Sequence, residues 1–120
     1  MNLLLSLIIA LIIVLHLYFV WLEMFAWTTH GKKAFRGLSD DFFVQTKALA
    51  ANQGLYNGFL VAGLIWSFLI DDINWSENVA IFFLSCIAVA GIYGAMTAQK
   101  SIFYIQGLPA IIAIILILTN

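Results

Sequence analysis

The chain has 120 residues, of which 64% are hydrophobic and 9% are charged. Soluble globular domains carry about 25% charged residues, so this composition leaves too few charges to cover a surface that faces water. Its five lysines and arginines and six aspartates and glutamates give a net charge of −1, which excludes the basic surface that nucleic-acid binding needs. We therefore expect an integral membrane protein whose main partner is the lipid bilayer.

Four long apolar segments follow one another along the chain, separated by short polar connections. A membrane-spanning helix needs about 20 mostly apolar residues, and backbone polar groups must be paired inside lipid. The predicted helices cover about residues 3–27, 42–70, 79–97 and 102–118. The expected fold class is all-α, an up-down bundle of four transmembrane helices that forms a single integral membrane domain over residues 1–120. The first segment exceeds the roughly 7–15 apolar residues of a signal peptide, so we expect it to remain as a helix.

The basic residues of the connections predict how the chain is oriented in the membrane. Lys32, Lys33 and Arg36 lie in the first connection and Lys100 lies in the third, whereas the second connection has no basic residue. Because lysine and arginine are enriched in cytoplasmic loops, we expect loops 1 and 3 in the cytoplasm and both termini outside. The predicted location is the cytoplasmic membrane, which the chain crosses several times.

Most polar side chains of the predicted helices fall in the cytoplasmic half of the membrane. Counting at about 1.5 Å per residue from the loops places Glu23 and Gln106 in that half and His16 near the midplane. Ionisable residues inside a membrane are costly and indicate function, so we expect a polar pocket that opens to the cytoplasm and is closed outward by apolar side chains. The candidate ligand-binding residues are His16, Glu23, Trp27, Asn52, Gln53, Tyr56, Asn57 and Gln106.

Structural roles are the alternative for the same residues. His16 could donate to a carbonyl on a facing helix, and Glu23 could pair with Lys47 or with the cations of loop 1. Amide side chains could simply join helices, at about 0.6 kcal/mol per contact. Three amides at positions 52, 53 and 57 exceed what helix association requires, which favours a ligand site. Gly54 and Gly58 have the spacing of a close helix contact.

The fourth predicted helix contains the only proline of the chain, Pro109. Proline has no N–H to donate to the carbonyl four residues earlier, here that of Ile105. We therefore expect a kink or an unpaired carbonyl next to Gln106.

Metal and covalent chemistry have little support in the sequence. The two histidines are not three or four residues apart, the spacing that places two ligands on one helical face. The single cysteine, Cys86, lies in an apolar stretch, where a thiol is poorly reactive. We assign no metal, no cofactor and no catalytic residue.

Four stretches carry a resemblance to a known family. They are HLYFVWLEMFAWTT from His16, KALAANQGLYNGFLVAGLIW from Lys47, VAGIYGAMT from Val89 and FYIQGLPA from Phe103. Taken together they resemble the small bacterial integral-membrane family known as domain of unknown function 1304, over nearly the whole chain and in the same order. The resemblance implies a four-helix membrane protein and brings no established activity. The motif positions it implies here are His16, Glu23, Trp27, Lys47, Asn52, Gln53, Gly54, Tyr56, Asn57, Gly91, Gln106 and Pro109.

Three functions remain open from the sequence. We favour a protein that binds or transports a small polar or amphipathic solute in the polar pocket, with Glu23 as the recognising carboxylate. The second is a membrane enzyme that acts on a lipophilic substrate, with Glu23 and His16 as acid/base groups. The third is an accessory subunit of a membrane complex. Four helices enclose little volume, and the uneven lysine and arginine distribution disfavours an antiparallel pair, so we expect a homo-oligomer, with a parallel dimer favoured.

Overall fold

A computed structural model describes all residues of the chain, 1–120, and it is entirely helical. This confirms the all-α class. The elements, in chain order, are α1 (Leu3–Phe25), α2 (His30–Ala34), α3 (Asp40–Gln45), α4 (Lys47–Leu69), α5 (Ile73–Thr97), a π-helical turn (Phe103–Gly107) and α6 (Leu108–Thr119). No strand is present.

The chain divides into two compact units. The first combines Met1–Val14 with Ala62–Asn120, and the second is the continuous segment Leu15–Val61. In the first unit the buried side chains are aliphatic residues such as Leu5, Leu64 and Leu84. In the second unit the buried set includes Leu22, Phe43 and His16.

The first predicted helix ends two residues earlier than expected. Its start is capped by Asn2, whose side-chain Oδ1 accepts a hydrogen bond from the Leu5 N–H at 2.8 Å. Asparagine is a favoured residue at this position, because its side chain pairs with a backbone N–H that the helix leaves free. The helix ends at Phe25, so Trp27 lies in the connection to α2 instead of within α1.

The second predicted helix, about residues 42–70, is two helices in the structure. The first of them, α3, begins at Asp40 because Ser39 Oγ accepts a hydrogen bond from the Phe42 N–H at 3.2 Å, as expected for a serine N-cap. The break falls at Thr46, whose hydroxyl donates to the carbonyl of Phe42 at 2.6 Å. A threonine that bonds back to the preceding turn in this way bends a helix.

The third helix begins about six residues earlier than predicted. Asp72 caps it, because its Oδ1 accepts a hydrogen bond from the Trp75 N–H at 3.0 Å, and α5 therefore starts at Ile73 instead of near Val79. The polar residues that suggested a loop belong to its first turns. Ser76 is one of these, and its hydroxyl donates to the carbonyl of Ser67 on α4 at 2.6 Å.

The last predicted helix starts as a π-helical turn over Phe103–Gly107. The N–H of Leu108 donates to the carbonyl of Phe103, five residues earlier, as in a π-helix. Pro109 follows at the start of α6, where its missing N–H is tolerated. The structure thus places a π-helical turn at Gln106, and the kink or unpaired carbonyl expected from the proline stays a prediction.

Two helices, α1 and α5, are long and apolar enough to cross a membrane. On α1, Leu3, Leu7 and Leu11 are each more than half exposed. On α5, Phe82 and Val89 are exposed to the same degree. The segment Phe103–Thr119 is apolar but shorter than a span.

Candidate functional site

The unit Leu15–Val61 contains an open cleft of about 250 Å³. Its walls come from the end of α1, from the connection that follows α1, from the junction of α3 and α4 and from the first half of α4. Six residues line the cleft: Glu23, Trp27, Thr46, Leu49, Ala50 and Gln53. It therefore combines one carboxyl group, an indole, a hydroxyl, an amide and two aliphatic side chains.

Glu23 is held in place by a hydrogen bond from the opposite helix. Asn57 on α4 donates from Nδ2 to the Glu23 Oε1 atom at 2.6 Å, across 34 residues of sequence. The second carboxyl oxygen, Oε2, accepts no hydrogen bond from the protein. The structure has no buried side-chain oxygen or nitrogen that lacks a hydrogen-bond partner. Because Oε2 has no such partner, it is not fully buried and is accessible. One oxygen of Glu23 is therefore fixed, and the other is available to a ligand.

A glycine makes the close approach of these two helices possible. A Cβ added to Gly54 would lie 2.6 Å from Met24 Cγ and 3.1 Å from Glu23 Cβ. Both distances are shorter than ordinary van der Waals contact, so Gly54 allows α4 to approach α1 beside Glu23. This is the helix contact that the glycine spacing predicted. Gly58 makes a looser contact, 3.9 Å from Val20 Cγ2.

Trp27 forms the second wall of the cleft and is fixed by a hydrogen bond as well as by ring packing. Its Nε1–H donates to Thr46 Oγ1 at 3.0 Å, and that hydroxyl donates onward to the carbonyl of Phe42. The indole also packs against Phe35 and Phe43, at centroid distances of 5.6 and 5.2 Å. Because the indole N–H must find a partner when it leaves water, the hydroxyl of Thr46 ties the connection after α1 to the start of α4.

The cleft has no positively charged lining residue. The chain contains a single ion pair, between Lys32 Nζ and Asp40 Oδ1 at 3.3 Å. Glu23 thus makes no ion pair, and the alternative that it pairs with Lys47 or with the loop 1 cations is wrong. The carboxyl group of Glu23 has one hydrogen-bond donor, the Asn57 amide, and no basic partner.

The structure brings together four of the eight predicted ligand-binding residues. Glu23, Trp27 and Gln53 line the cleft, and Asn57 bonds to Glu23. The exposed Asn52 turns back on its own helix, where Nδ2 donates to the Ala48 carbonyl at 3.0 Å.

The remaining predicted residues lie elsewhere. Tyr56 is exposed and packs against Phe59 at a centroid distance of 5.8 Å. His16 is 1% exposed and packs edge-on against Phe19 at 5.3 Å. It does not line the cleft, so the structure does not assemble the Glu23 and His16 acid/base couple there. Gln106 belongs to the π-helical turn of the other unit.

Sequence reasoning missed Thr46, Leu49 and Ala50. The signal was present in the helical spacing, because Thr46, Ala50, Gln53 and Asn57 follow one another at intervals of four, three and four residues. Residues at this spacing share one face of a helix. Leu49 and Ala50 carry no polar side-chain group, so the pattern of polar residues does not indicate them.

Comparisons with known proteins identify a family and a relative. The sequence profile of a family described as "Protein of unknown function (DUF1304)" matches residues 10–118. The "Uncharacterized protein YpaA" of Lactococcus lactis subsp. lactis (strain IL1403) is 30% identical over 114 residues, covering 92% of this chain and 94% of that protein. No solved structure matches the chain.

Proposed function

Since this chain belongs to the family of proteins of unknown function DUF1304, whose description names no activity, we propose its function from the cleft. The cleft binds a small polar or amphipathic solute, and Glu23 is the group that recognises it. The observation that carries this proposal is the carboxyl group of Glu23, with Oε1 held by Asn57 and Oε2 accessible. Binding sites typically combine an apolar lining with a few well-placed polar groups.

The lining residues indicate the size and character of the solute. Drug-sized ligands occupy pockets of about 300–1,000 Å³, and the cleft measures about 250 Å³, so the solute is smaller than a typical drug. Leu49, Ala50 and the indole of Trp27 suit an apolar part. Glu23, Thr46 and Gln53 suit a polar part that donates hydrogen bonds.

We propose that the protein sits in the cytoplasmic membrane as a bundle of four apolar segments. Supporting this, α1 and α5 are long and apolar enough to span, and both carry exposed large aliphatic or aromatic side chains. Continuous exposed apolar surface is rare on soluble proteins. With the cations of loop 1 on the cytoplasmic side, the cleft opens toward the cytoplasm, so binding there is the first step of uptake, export or sensing of the solute.

A protection experiment tests the proposed binding. The reporter is Leu49→Cys in a Cys86→Ser background, because Leu49 lies at the cleft and is 71% exposed. The protein is placed in nanodiscs, and the rate of modification by a water-soluble maleimide is measured with benzyl alcohol, benzyltrimethylammonium or benzylsulfonate. We expect at least one of these probes to slow the modification in a saturable way. The control reporter, Val44→Cys, is exposed but lies outside the cleft and should show no protection.

Blocking variants separate binding in the cleft from partitioning into lipid. Ala50→Phe fills the cleft and should abolish protection, whereas Ala48→Phe, on the same helix but outside the lining, should preserve it. Gln53→Trp blocks the cleft from an exposed position and serves if Ala50→Phe does not fold. If none of the three probes protects Leu49→Cys, the proposed function is overturned.

A further inference from the structure

We infer that the solute carries a positive charge, so that the cleft is a site for a small organic cation with an apolar part. This inference rests on the proposed function and names the chemical class of its ligand. The observation behind it is an uncompensated carboxyl group. Glu23 lines the cleft and makes no ion pair, and none of the other five lining residues is basic.

The surroundings of Glu23 favour a cation over a neutral hydrogen-bond donor. Buried or partly buried charges are normally paired, because removal of a charge from water is costly. Within the protein, Glu23 has one amide donor, Asn57, which satisfies one of the two oxygens. A cationic group at Oε2 would supply the missing charge. Lys47, the one basic residue of α4, lies outside the lining and makes no ion pair with Glu23.

The C-terminal end of α1, the helix that carries Glu23, also favours a cation in the cleft. α1 ends at Phe25, two residues after Glu23, and the C-terminal end of a helix carries a partial negative charge from its free carbonyls. The last turn of α1 contains no basic residue to balance that charge. Carboxyl group and helix end therefore both attract a cation into this part of the cleft.

The indole of Trp27 supplies the apolar part of the site. Tryptophan is the best aromatic partner for a cation or for the alkyl groups around it. Trp27 is held by Thr46 and packed against Phe35 and Phe43, so it does not need to be ordered when the ligand arrives. Rigid groups of this kind lower the entropic cost of binding.

Equilibrium dialysis with three probes of similar size but different charge tests whether the cleft prefers a cation. The wild-type protein in nanodiscs is dialysed against radiolabelled benzyltrimethylammonium, benzyl alcohol or benzylsulfonate, and the signal of empty nanodiscs is subtracted. We expect the cation to bind at least about tenfold more tightly than the neutral probe, the gain typical of one charge-assisted contact. The anion should bind more weakly than either.

Two isosteric variants assign the preference to one residue. Glu23→Gln retains an oxygen for Asn57 but removes the charge, and it should abolish the roughly tenfold preference for the cation over the neutral probe. Glu77→Gln makes the same chemical change on α5, outside the lining, and should leave all three affinities unchanged. Monodisperse elution of both variants verifies that they fold.

The outcomes distinguish this inference from the function on which it rests. The inference that the solute is positively charged is overturned if the three probes bind equally well. It is also overturned if the Glu23→Gln variant still prefers the cation. Both results leave the proposed solute binding intact. If no probe binds to the wild-type protein, both proposals fall together.

Discussion

A single hydrogen bond between side chains determines the position of the carboxyl group in the cleft. Asn57 is 8% exposed and donates to Glu23 from a helix 34 residues away in sequence. Burial matters here, because a polar group that loses its partner away from water costs more than the net gain from making the bond. Asn57 is therefore a positioning residue for Glu23 as well as a link between α1 and α4.

We predict that Asn57→Leu destabilises the protein by about 1–3 kcal/mol, since it leaves Glu23 without its donor. Glu23→Leu should be destabilising for the reciprocal reason. The double variant should cost less than the sum of the two, because both polar groups are then replaced by apolar ones. Unfolding free energies of the three variants in detergent measure the coupling. Strict additivity would show that the bond contributes nothing to stability.

At the scale of helices, the contact between α1 and α4 depends on one glycine and not on its neighbour one turn away. A Cβ at position 54 would lie 3.3 Å from the backbone N of Met24, which cannot move without shifting α1. At position 58 the nearest atom is 3.9 Å away, which leaves room for a methyl group.

We predict opposite effects for the two glycine-to-alanine changes. Gly54→Ala should be destabilising by about 1–3 kcal/mol, as is usual for overpacking, and should also weaken solute binding because it displaces Glu23. Gly58→Ala should be neutral or stabilising by up to about 1 kcal/mol, since alanine is the better helix former. Thermal unfolding of both variants under the same conditions provides the comparison, and equal destabilisation would contradict the close approach at Gly54.

The π-helical turn of the other unit is packed as closely as the contact at Gly54. A Cβ added to Gly91 on α5 would lie 2.5 Å from the backbone N of Gly107 and 2.6 Å from its Cα. Here both neighbours are backbone atoms, so the contact has no flexible side chain that could yield. Gly91 thus lets α5 lie directly against the π-helical turn that carries Gln106.

At the scale of the whole molecule, the proposed orientation places the first connection in the cytoplasm and the connection between α4 and α5 outside. We predict that Arg36→Cys, in a Cys86→Ser background, reacts with an impermeant maleimide only in inside-out vesicles. Asn74→Cys, which is exposed near the start of α5, should react only in right-side-out vesicles. The asymmetry follows from the basic residues of loop 1, and the reverse pattern would invert the proposed topology.

The sequence was sufficient to predict the helical class, but not the breaks, the early start of α5 or the tertiary partners. Long apolar runs indicate helices, and Ser39 is a typical N-cap, so these features follow from local chemistry. The break at Thr46 depends on a hydroxyl that bonds both Trp27 and Phe42, which no local pattern of helix-forming residues reveals. Asp72 falls between the predicted helices 42–70 and 79–97, and its role as the N-cap of α5 accounts for the early start of that helix.

The candidate site could be predicted only in part, because it depends on tertiary contacts between helices. The predicted depth of a residue in the membrane gives its position along the helix axis, but it does not tell which face of the helix the residue occupies. Glu23, Gln53 and Asn57 share the facing surfaces of α1 and α4, whereas Asn52 is turned toward its own backbone. The pairing of Asn57 with Glu23 is a tertiary contact, and it depends on the close approach at Gly54, which depth does not determine.

The hydrogen bond from Ser76 to the carbonyl of Ser67 also has a consequence for how the chain is made. The hydroxyl of Ser67 is itself bonded to the carbonyl of Leu64, so both serines are satisfied within α4 and α5. Only residues 70–72 connect the two helices, and short closures of this kind cost little chain entropy. The helical hairpin can therefore form early during synthesis, with its serine hydroxyls already paired.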